Sequence, residues 1–488
     1  MSAHGSEMDT IWKALKPQGP GRPADRCGHA AVSSSNGSRL VVMGGYNADG
    51  ILDDVWALDL EAREWSRVAV DGPSPPPRAF FRGCNGPPPG GETRGHGEIF
   101  AYVFGGSDAE GTFSNDVWCL DVNNRTWGKV HAGDPGGRGG TTTLPCSRSN
   151  HAMCRMGGVL AVHGGESSSG DLLGDLWLFD PATASWHEAL TSVTTGPRPC
   201  ARSSHCLVHA TIGGESPEST ETSSFDGSLV VFGGLGSDET AKIEGEEECM
   251  PLNDLWVLSP ASPATLSKGG EAAATPAAGH SSNQTLPLWT LVLLDGVGPS
   301  PRSLSALAAR RPPSIAVNSD DGGDDDNCSE SYGHDTARDS NRRTAELFIF
   351  GGYGLVELPS DKDGKRHDDS HGQDSDEDGE IIMAYIDDLW GLSLMLPRRG
   401  GESVDGCSVN SNSKTSCASS DCVGPASENG WVDEEQMGYP GTSPVEGRNG
   451  HTLTWCGDKL ILFGGFVGDG FDAGVHVAEV PSVSTVEL

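Results

Sequence analysis

No apolar run in the chain approaches the roughly 20 residues that a bilayer-spanning helix needs. The first ten residues, Met1 to Thr10, are polar and lack the apolar core of a secretory signal. A non-secreted protein of the cytoplasm or nucleus is therefore expected, with no membrane partner. Thirteen cysteines are present, but without a CxxC pair or a Cys/His ligand cluster. That distribution speaks against a zinc site or a disulfide frame and for free thiols in a reducing compartment. Positive charge is scarce too: 33 Lys and Arg face 69 Asp and Glu, a net charge of −36. Sequence-independent attraction to nucleic-acid phosphates needs the opposite sign, so the expected partners are proteins.

Against these absences stand 68 glycines and 12 tryptophans in a chain that is only 35% hydrophobic. Such a mixture suits many short strands with tight turns and sparse aromatic anchors, not long amphipathic helices. A glycine pair closes an apolar run six times, at Gly45, Gly106, Gly165, Gly234, Gly352 and Gly465. A run of β-branched and aromatic residues stopped in this way reads as a buried strand ending where the backbone turns sharply or is closely approached.

After five of the six pairs comes Asp-(Val/Leu)-Trp, at Asp54-Val55-Trp56, Asp116-Val117-Trp118, Asp175-Leu176-Trp177, Asp254-Leu255-Trp256 and Asp388-Leu389-Trp390. A second tryptophan follows nine residues later in the first three units (Trp65, Trp127, Trp186) and after insertions in the next two (Trp289, Trp431). These positions hold ten of the twelve tryptophans.

A strand ending in Gly-Gly, then Asp-x-Trp, then a further Trp, resembles the kelch repeat over nearly the whole chain. The resemblance implies an all-β, six-bladed kelch-type β-propeller, with four antiparallel strands per blade around a central channel. The blades are expected over 26–70, 78–131, 148–191, 202–294, 302–436 and 448–480, between a polar tail at 1–9 and another at 481–488. The sixth unit has no final Trp, whereas Thr10-Ile11-Trp12-Lys13-Ala14-Leu15 precedes the first complete unit. Segment 10–16 is therefore expected to supply the outer strand of the last blade and remove an open edge.

Glycine-pair spacing is near sixty residues early on and nearly doubles in the last two intervals. The extra text is polar and acidic. Segments 238–248, 260–284, 312–344, 357–381 and 398–429 lack the apolar content that offsets ordering entropy, and read as long disordered loops. Stretches 238–248, 318–346 and 357–380 alone hold 25 acidic and 7 basic residues, half of the net charge. The acidity belongs to the loops, not to the blade walls.

Each innermost strand is preceded by an arginine: Arg26, Arg78, Arg148, Arg202, Arg302 and Arg448. In four units it opens an Arg-x-x-His motif, with His29, His151, His205 and His451. By propeller symmetry these six guanidiniums ring one channel mouth, and such forks match carboxylates. In some proteins of the resembled family, arginines at matching positions grip acidic peptide segments, and the resemblance implies the same role here. The expectation is a monomeric interaction scaffold or adaptor that binds a protein partner, with an acidic segment as the candidate ligand, at this mouth. Ser375, within Asp374-Ser375-Asp376-Glu377-Asp378, resembles a site for acid-directed kinases.

The alternative is a small-molecule enzyme using the channel, like the sugar-acid epimerases or metal-dependent specifier proteins of the resembled family. Asp326, Glu330 and His334 copy a specifier-type metal spacing with the carboxylates exchanged. They lie in an acidic run where such spacing arises easily by chance, so no metal, cofactor or catalytic residue is assigned.

Overall fold

The computed structural model describes residues 11–34, 36–91, 99–133, 144–189, 197–211, 227–236, 249–258, 289–292, 297–310, 344–357, 381–395, 431–433, 436–437, 439 and 444–480. Among these, six sheets each carry four principal antiparallel strands. Sheet 1 runs Ala30–Ser33, Arg39–Met43, Val55–Asp59, Glu64–Arg67, and sheet 2 runs Arg82–Asn85, Phe100–Phe104, Val117–Asp121, Thr126–His131. Sheet 3 comprises Ala152–Met156, Val159–Ser167, Leu172–Asp180 and Ser185–Glu188; sheet 4 comprises Cys206–Thr211, Gly227–Gly236, Met250–Leu258 and Trp289–Val292. In sheet 5, Ala306–Arg310 and Thr344–Phe350 are followed by Leu389–Met395 and Val432–Asp433. Sheet 6 has Thr452–Cys456, Lys459–Phe463 and Val475–Ala478, and its fourth strand is the N-terminal Trp12–Leu15.

The first strand of each sheet lies next to the first strand of the following sheet, and that of sheet 6 lies next to that of sheet 1. Strand alternation explains how the sheets stack. In Arg39–Met43, Val41 and Met43 pack into an apolar cluster shared with sheet 2, while Leu40 and Val42 pack into one shared with sheet 6. Such second strands are buried on both faces and accordingly read as continuous apolar runs; Phe104, Phe232, Phe350 and Phe463 are each 0% exposed. Burying a side chain of that size contributes roughly 1.5–3 kcal/mol.

The tryptophans have a consistent direction. Trp118 and Trp127 of sheet 2 pack toward sheet 1, Trp256 and Trp289 of sheet 4 toward sheet 3, and Trp390 and Trp431 of sheet 5 toward sheet 4. Trp12 packs toward sheet 5 and meets Phe350 edge-on with ring centroids 5.2 Å apart. It thus occupies in sheet 6 the place that a fourth-strand Trp holds in the others. Its strand pairs Trp12 with Ala478 and Leu15 with Val475, so the two ends of the described chain share one sheet.

The glycine pairs answer a steric demand at each junction between sheets. All twelve glycines have positive φ, from 56° to 118°. A Cβ on the first glycine of each pair would fall 2.7–3.1 Å from the carbonyl oxygen of the arginine that opens the next sheet. The series closes, because a Cβ on Gly464 of sheet 6 would meet Arg26 O at 2.8 Å. Only a residue without a side chain fits there.

The acidic insertions and tails lie outside the described residues, as do Ser375 and the Asp326, Glu330, His334 triplet. The loop boundaries need small corrections. Thr344 opens a strand of sheet 5, while Glu357 and Ile381 pair in a hairpin between Tyr353–Glu357 and Ile381–Tyr385. Backbone pairing carries order one residue into each segment read as loop.

Candidate binding face at the channel mouth

The six arginines lie side by side at one end of the inner strands, but they do not offer their forks outward. Arg26, Arg148, Arg202 and Arg302 are 0% exposed, and Arg78 and Arg448 only 4% and 3%. Each guanidinium is held by its own sheet. Nη1 of Arg26, Arg78, Arg148 and Arg202 donates to Asp54, Asp116, Asp175 and Asp254 at 2.7–2.8 Å, and Arg302 and Arg448 pair with Asp388 and Asp472. The same Nη1 also donates to the carbonyl of the first glycine of the pair, for example to Gly164 O at 2.9 Å from Arg148. Nε donates to the carbonyl two residues back, as from Arg148 to Cys146 O at 3.2 Å. The expected partner-facing ring is thus an internal framework, because the aspartate of each Asp-x-Trp or equivalent segment already satisfies the fork that a partner carboxylate would need.

The aspartate is shared with the indole that follows it. Trp56, Trp118, Trp177, Trp256 and Trp390 donate Nε1–H to the second carboxylate oxygen at 2.6–2.7 Å. In sheet 6 the sequence is Asp472-Ala473-Gly474, and the backbone N–H of Gly474 takes the indole's role at 2.8 Å. Burial alone would raise the pKa of Asp54, Asp116, Asp175 and Asp472, but the hydrogen bond and charge of the paired arginine outweigh it and hold all four below the ordinary carboxylate value.

The histidines of Arg-x-x-His are wedges, not ligands. A Cβ on Gly105, Gly164, Gly351 or Gly464 would meet the imidazole Cε1 of His151, His205, His451 or His29 at 2.8–2.9 Å, so each ring fills the space beside the preceding sheet's glycine. All four are buried, and desolvation is the first cause that lowers their pKa; for His451 the value falls to about 3. His163 donates to or accepts from His205 at 2.9 Å and is likewise lowered by burial to about 3.

Two residues beyond each arginine the backbone forms a closed ring that the sequence pattern does not reveal. Gly28, Phe80, Asn150, Ser204, Leu304 and Gly450 all have φ between 52° and 61°. The N–H of Phe80 donates to Gly28 O, Asn150 to Phe80 O, Ser204 to Asn150 O, Leu304 to Ser204 O, Gly450 to Leu304 O, and Gly28 to Gly450 O, at 2.7–3.1 Å. Six peptide groups, one per sheet, so circle the mouth of the channel. Gly, Asn and Ser tolerate the left-handed region or bond locally within it, whereas Phe80 and Leu304 are strained there by roughly 1–2 kcal/mol each. Two bulky apolar side chains thus stand at left-handed positions of the rim.

Around this rim lies a chain of half-buried aromatics. Phe80 touches Tyr46, Tyr46 touches Phe471, Phe471 touches Phe466, Phe466 touches Tyr385 and Tyr385 touches Tyr353, with centroids 5.0–5.9 Å apart. The belt spans segments attached to sheets 1, 2, 5 and 6. Inside the rim, a cavity of about 370 Å3 runs along the inner strands of all six sheets. Its wall is mostly Ala, Val, Ser, Cys and Leu, with Arg82 and Arg155 as its cations and no Asp or Glu among its described lining residues.

Arg82 is an exception among its equivalents. It stands four residues after Arg78, where the other sheets have Ala30, Ala152, Cys206, Ala306 and Thr452. Its described hydrogen bond is a long one, from Nη1 to Phe81 O at 3.3 Å. Enclosure by the sheets lowers its pKa, with no described carboxylate opposing that shift. An alignment of the six repeats against one another reveals this outlier; a search for recurring positions passes over it.

The all-β architecture is that of a β-propeller, and kelch-repeat models match two parts of the chain. The kelch motif matches residues 25–69, and the KLHDC2/KLHL20/DRC7 kelch-repeats domain matches residues 84–216. Among curated proteins, the chain is similar to Adagio protein 3 of Arabidopsis thaliana, at 32% identity over 257 residues, 50% of this chain and 34% of that protein. It is also similar to host cell factor 1 of Homo sapiens, at 27% identity over 303 residues, 60% of this chain and 12% of that protein. The matched region therefore spans about a third or less of these relatives' lengths. No described helix is long and apolar enough to cross a membrane.

Proposed function

We propose that the chain is a protein-interaction scaffold, built as a closed six-bladed propeller, which binds its partner at the mouth bounded by Gly28, Phe80, Asn150, Ser204, Leu304 and Gly450. The reading rests on the rim. Six peptide groups and six buried Arg–Asp pairs hold it rigidly, while its side chains differ from sheet to sheet, as a recognition surface requires. The kelch-repeat likeness supports an interaction role in general. The six arginines act in this role by fixing the rim loops, not by touching the partner. An acidic segment remains the partner chemistry of choice, because the cavity behind the rim is lined by arginine and by no described carboxylate.

Affinity capture with quantitative mass spectrometry tests the reading, comparing the wild type with the double variant Phe80→Asn, Leu304→Asn. Asparagine is at ease with positive φ, so the variant keeps the backbone ring while losing both apolar rim side chains. Proteins captured by the wild type and lost from the variant are the expected result. Equal capture by both would move the binding surface elsewhere.

A further inference from the structure

We infer that Arg82 forms an oxyanion-binding point inside the channel, just within the rim, suited to a carboxylate or phosphate group. The inference deepens the proposed binding role and partly rests on it. Three observations carry it. The level of the channel at which Arg82 stands is otherwise built from small side chains, Ala30, Ala152, Cys206, Ala306 and Thr452, so the guanidinium has room beside it. Its planar fork of donors is nearly unused, with one 3.3 Å contact to a carbonyl. The cavity wall supplies no described carboxylate, although the chain as a whole carries 69 acidic residues.

Other arginines on the inner strands show what a satisfied one looks like. Arg310, outside the cavity lining, pairs with Glu346 through Nε at 2.8 Å and lies 4.6 Å from the ring centroid of Trp455. Arg155 donates Nε–H to Gly157 O at 2.8 Å within its own hairpin and is exposed. It stands three residues further along its inner strand than the level of Arg82, and so is not needed to complete the same contact. Among the described arginines of the inner strands, Arg82 alone combines enclosure, free space and unspent donors.

The oxyanion can come from two sources, a small dianion or an acidic side chain of the partner inserted through the rim. Titration calorimetry on the purified full chain separates them, with phosphate and succinate as small probes and a blocked Ala-Glu-Ala-Glu-Ala peptide as the protein-like one, against chloride at equal ionic strength. Binding of a small dianion that weakens at least tenfold in Arg82→Thr, the residue sheet 6 carries at this level, establishes the site for free oxyanions. Binding of the peptide alone, lost in the same variant, assigns it to a partner's carboxylate. Arg82→Lys keeps the charge without the fork and is expected in between; it also decides the matter if Arg82→Thr does not fold. Absence of binding by any probe, or equal binding by wild type and both variants, overturns the inference. Since no partner is present, that failure is distinct from failure of the rim to capture a protein.

Discussion

The blade junctions and the channel wall use the same side chain to opposite ends. At the junctions, arginine is buried, bonded to an aspartate and to backbone carbonyls, and repeated six times. On the channel wall, Arg82 is unique in its sheet position and has no described carboxylate. Repetition marks the residues that the fold requires, whereas departure from the repeat marks those that the fold does not explain. Comparison of the two sets teaches where to look for function in a repeat protein: not in the motif, but in the position at which one repeat breaks it.

The comparison breaks most visibly at the junctions. Arg148→Ala leaves the carbonyls of Gly164 and Cys146 without the guanidinium donor and Asp175 with the Trp177 indole alone and no counter-charge, and removal of one member of a buried pair costs about 3–5 kcal/mol. Because Asp175 is 27% exposed and can recover some hydration, the lower end, about 3 kcal/mol, is expected in urea unfolding monitored by tryptophan fluorescence. A loss under about 1 kcal/mol would mean that the pair is not a structural requirement. Trp12→Ala is expected to cost a similar amount, about 3 kcal/mol, as does loss of a large buried aromatic in general. That result would show that the N-terminal strand is an integral part of sheet 6, and an unchanged unfolding midpoint would show the opposite.

Acid acts next, through the wedge histidines. Their folded pKa values lie below the ordinary value near 6.5, so between the two the unfolded chain binds more protons and stability falls as pH falls. The loss sets in as pH drops through 6.5 and amounts to about 1 kcal/mol for each fully buried histidine at about pH 5.5. The aspartates paired with arginine add a second, lower window. Asp54, Asp116, Asp175 and Asp472 contribute stability that is complete above the ordinary carboxylate value and lost as pH falls through their depressed folded values. Melting temperature measured from about pH 7.5 to about pH 4 should decline from about 6.5 downward, and His151→Phe should shallow the slope. A flat profile above about pH 5 would contradict the neutral, buried state of these rings.

Much of this architecture is legible in the amino-acid sequence alone. Gly-Gly after an apolar run locates the second strand of every sheet, and the missing final Trp of the sixth unit points to Trp12. Both follow from local chemistry, a steric requirement and a large indole that must find cover. The arginines stand out as a set, but their direction does not. Whether a guanidinium faces a partner or an aspartate of its own sheet depends on residues 24 to 86 positions away, such as Asp472 for Arg448 and Asp388 for Arg302. The peptide ring is hidden for the same reason, since it joins six segments spread from Gly28 to Gly450 and uses backbone atoms that every residue has. Phe80 and Leu304 carry no signal of their own apart from their φ angles.

The smallest expected effect sharpens the contrast furthest. Arg82→Ala removes a guanidinium that spends one long hydrogen bond and neutralises no described carboxylate. It also restores the residue type that Ala30, Ala152 and Ala306 have at the same level. Stability should therefore change by no more than about 0.5 kcal/mol, the range of substitutions that touch no buried network. The same chemical deletion at Arg148 is expected to cost several times more, so the pair of variants separates an arginine kept by the fold from one that the fold can do without. If Arg82→Ala destabilised the protein as strongly as Arg148→Ala, the guanidinium would be a structural strut of the channel, and the case for donors reserved for a ligand would fail.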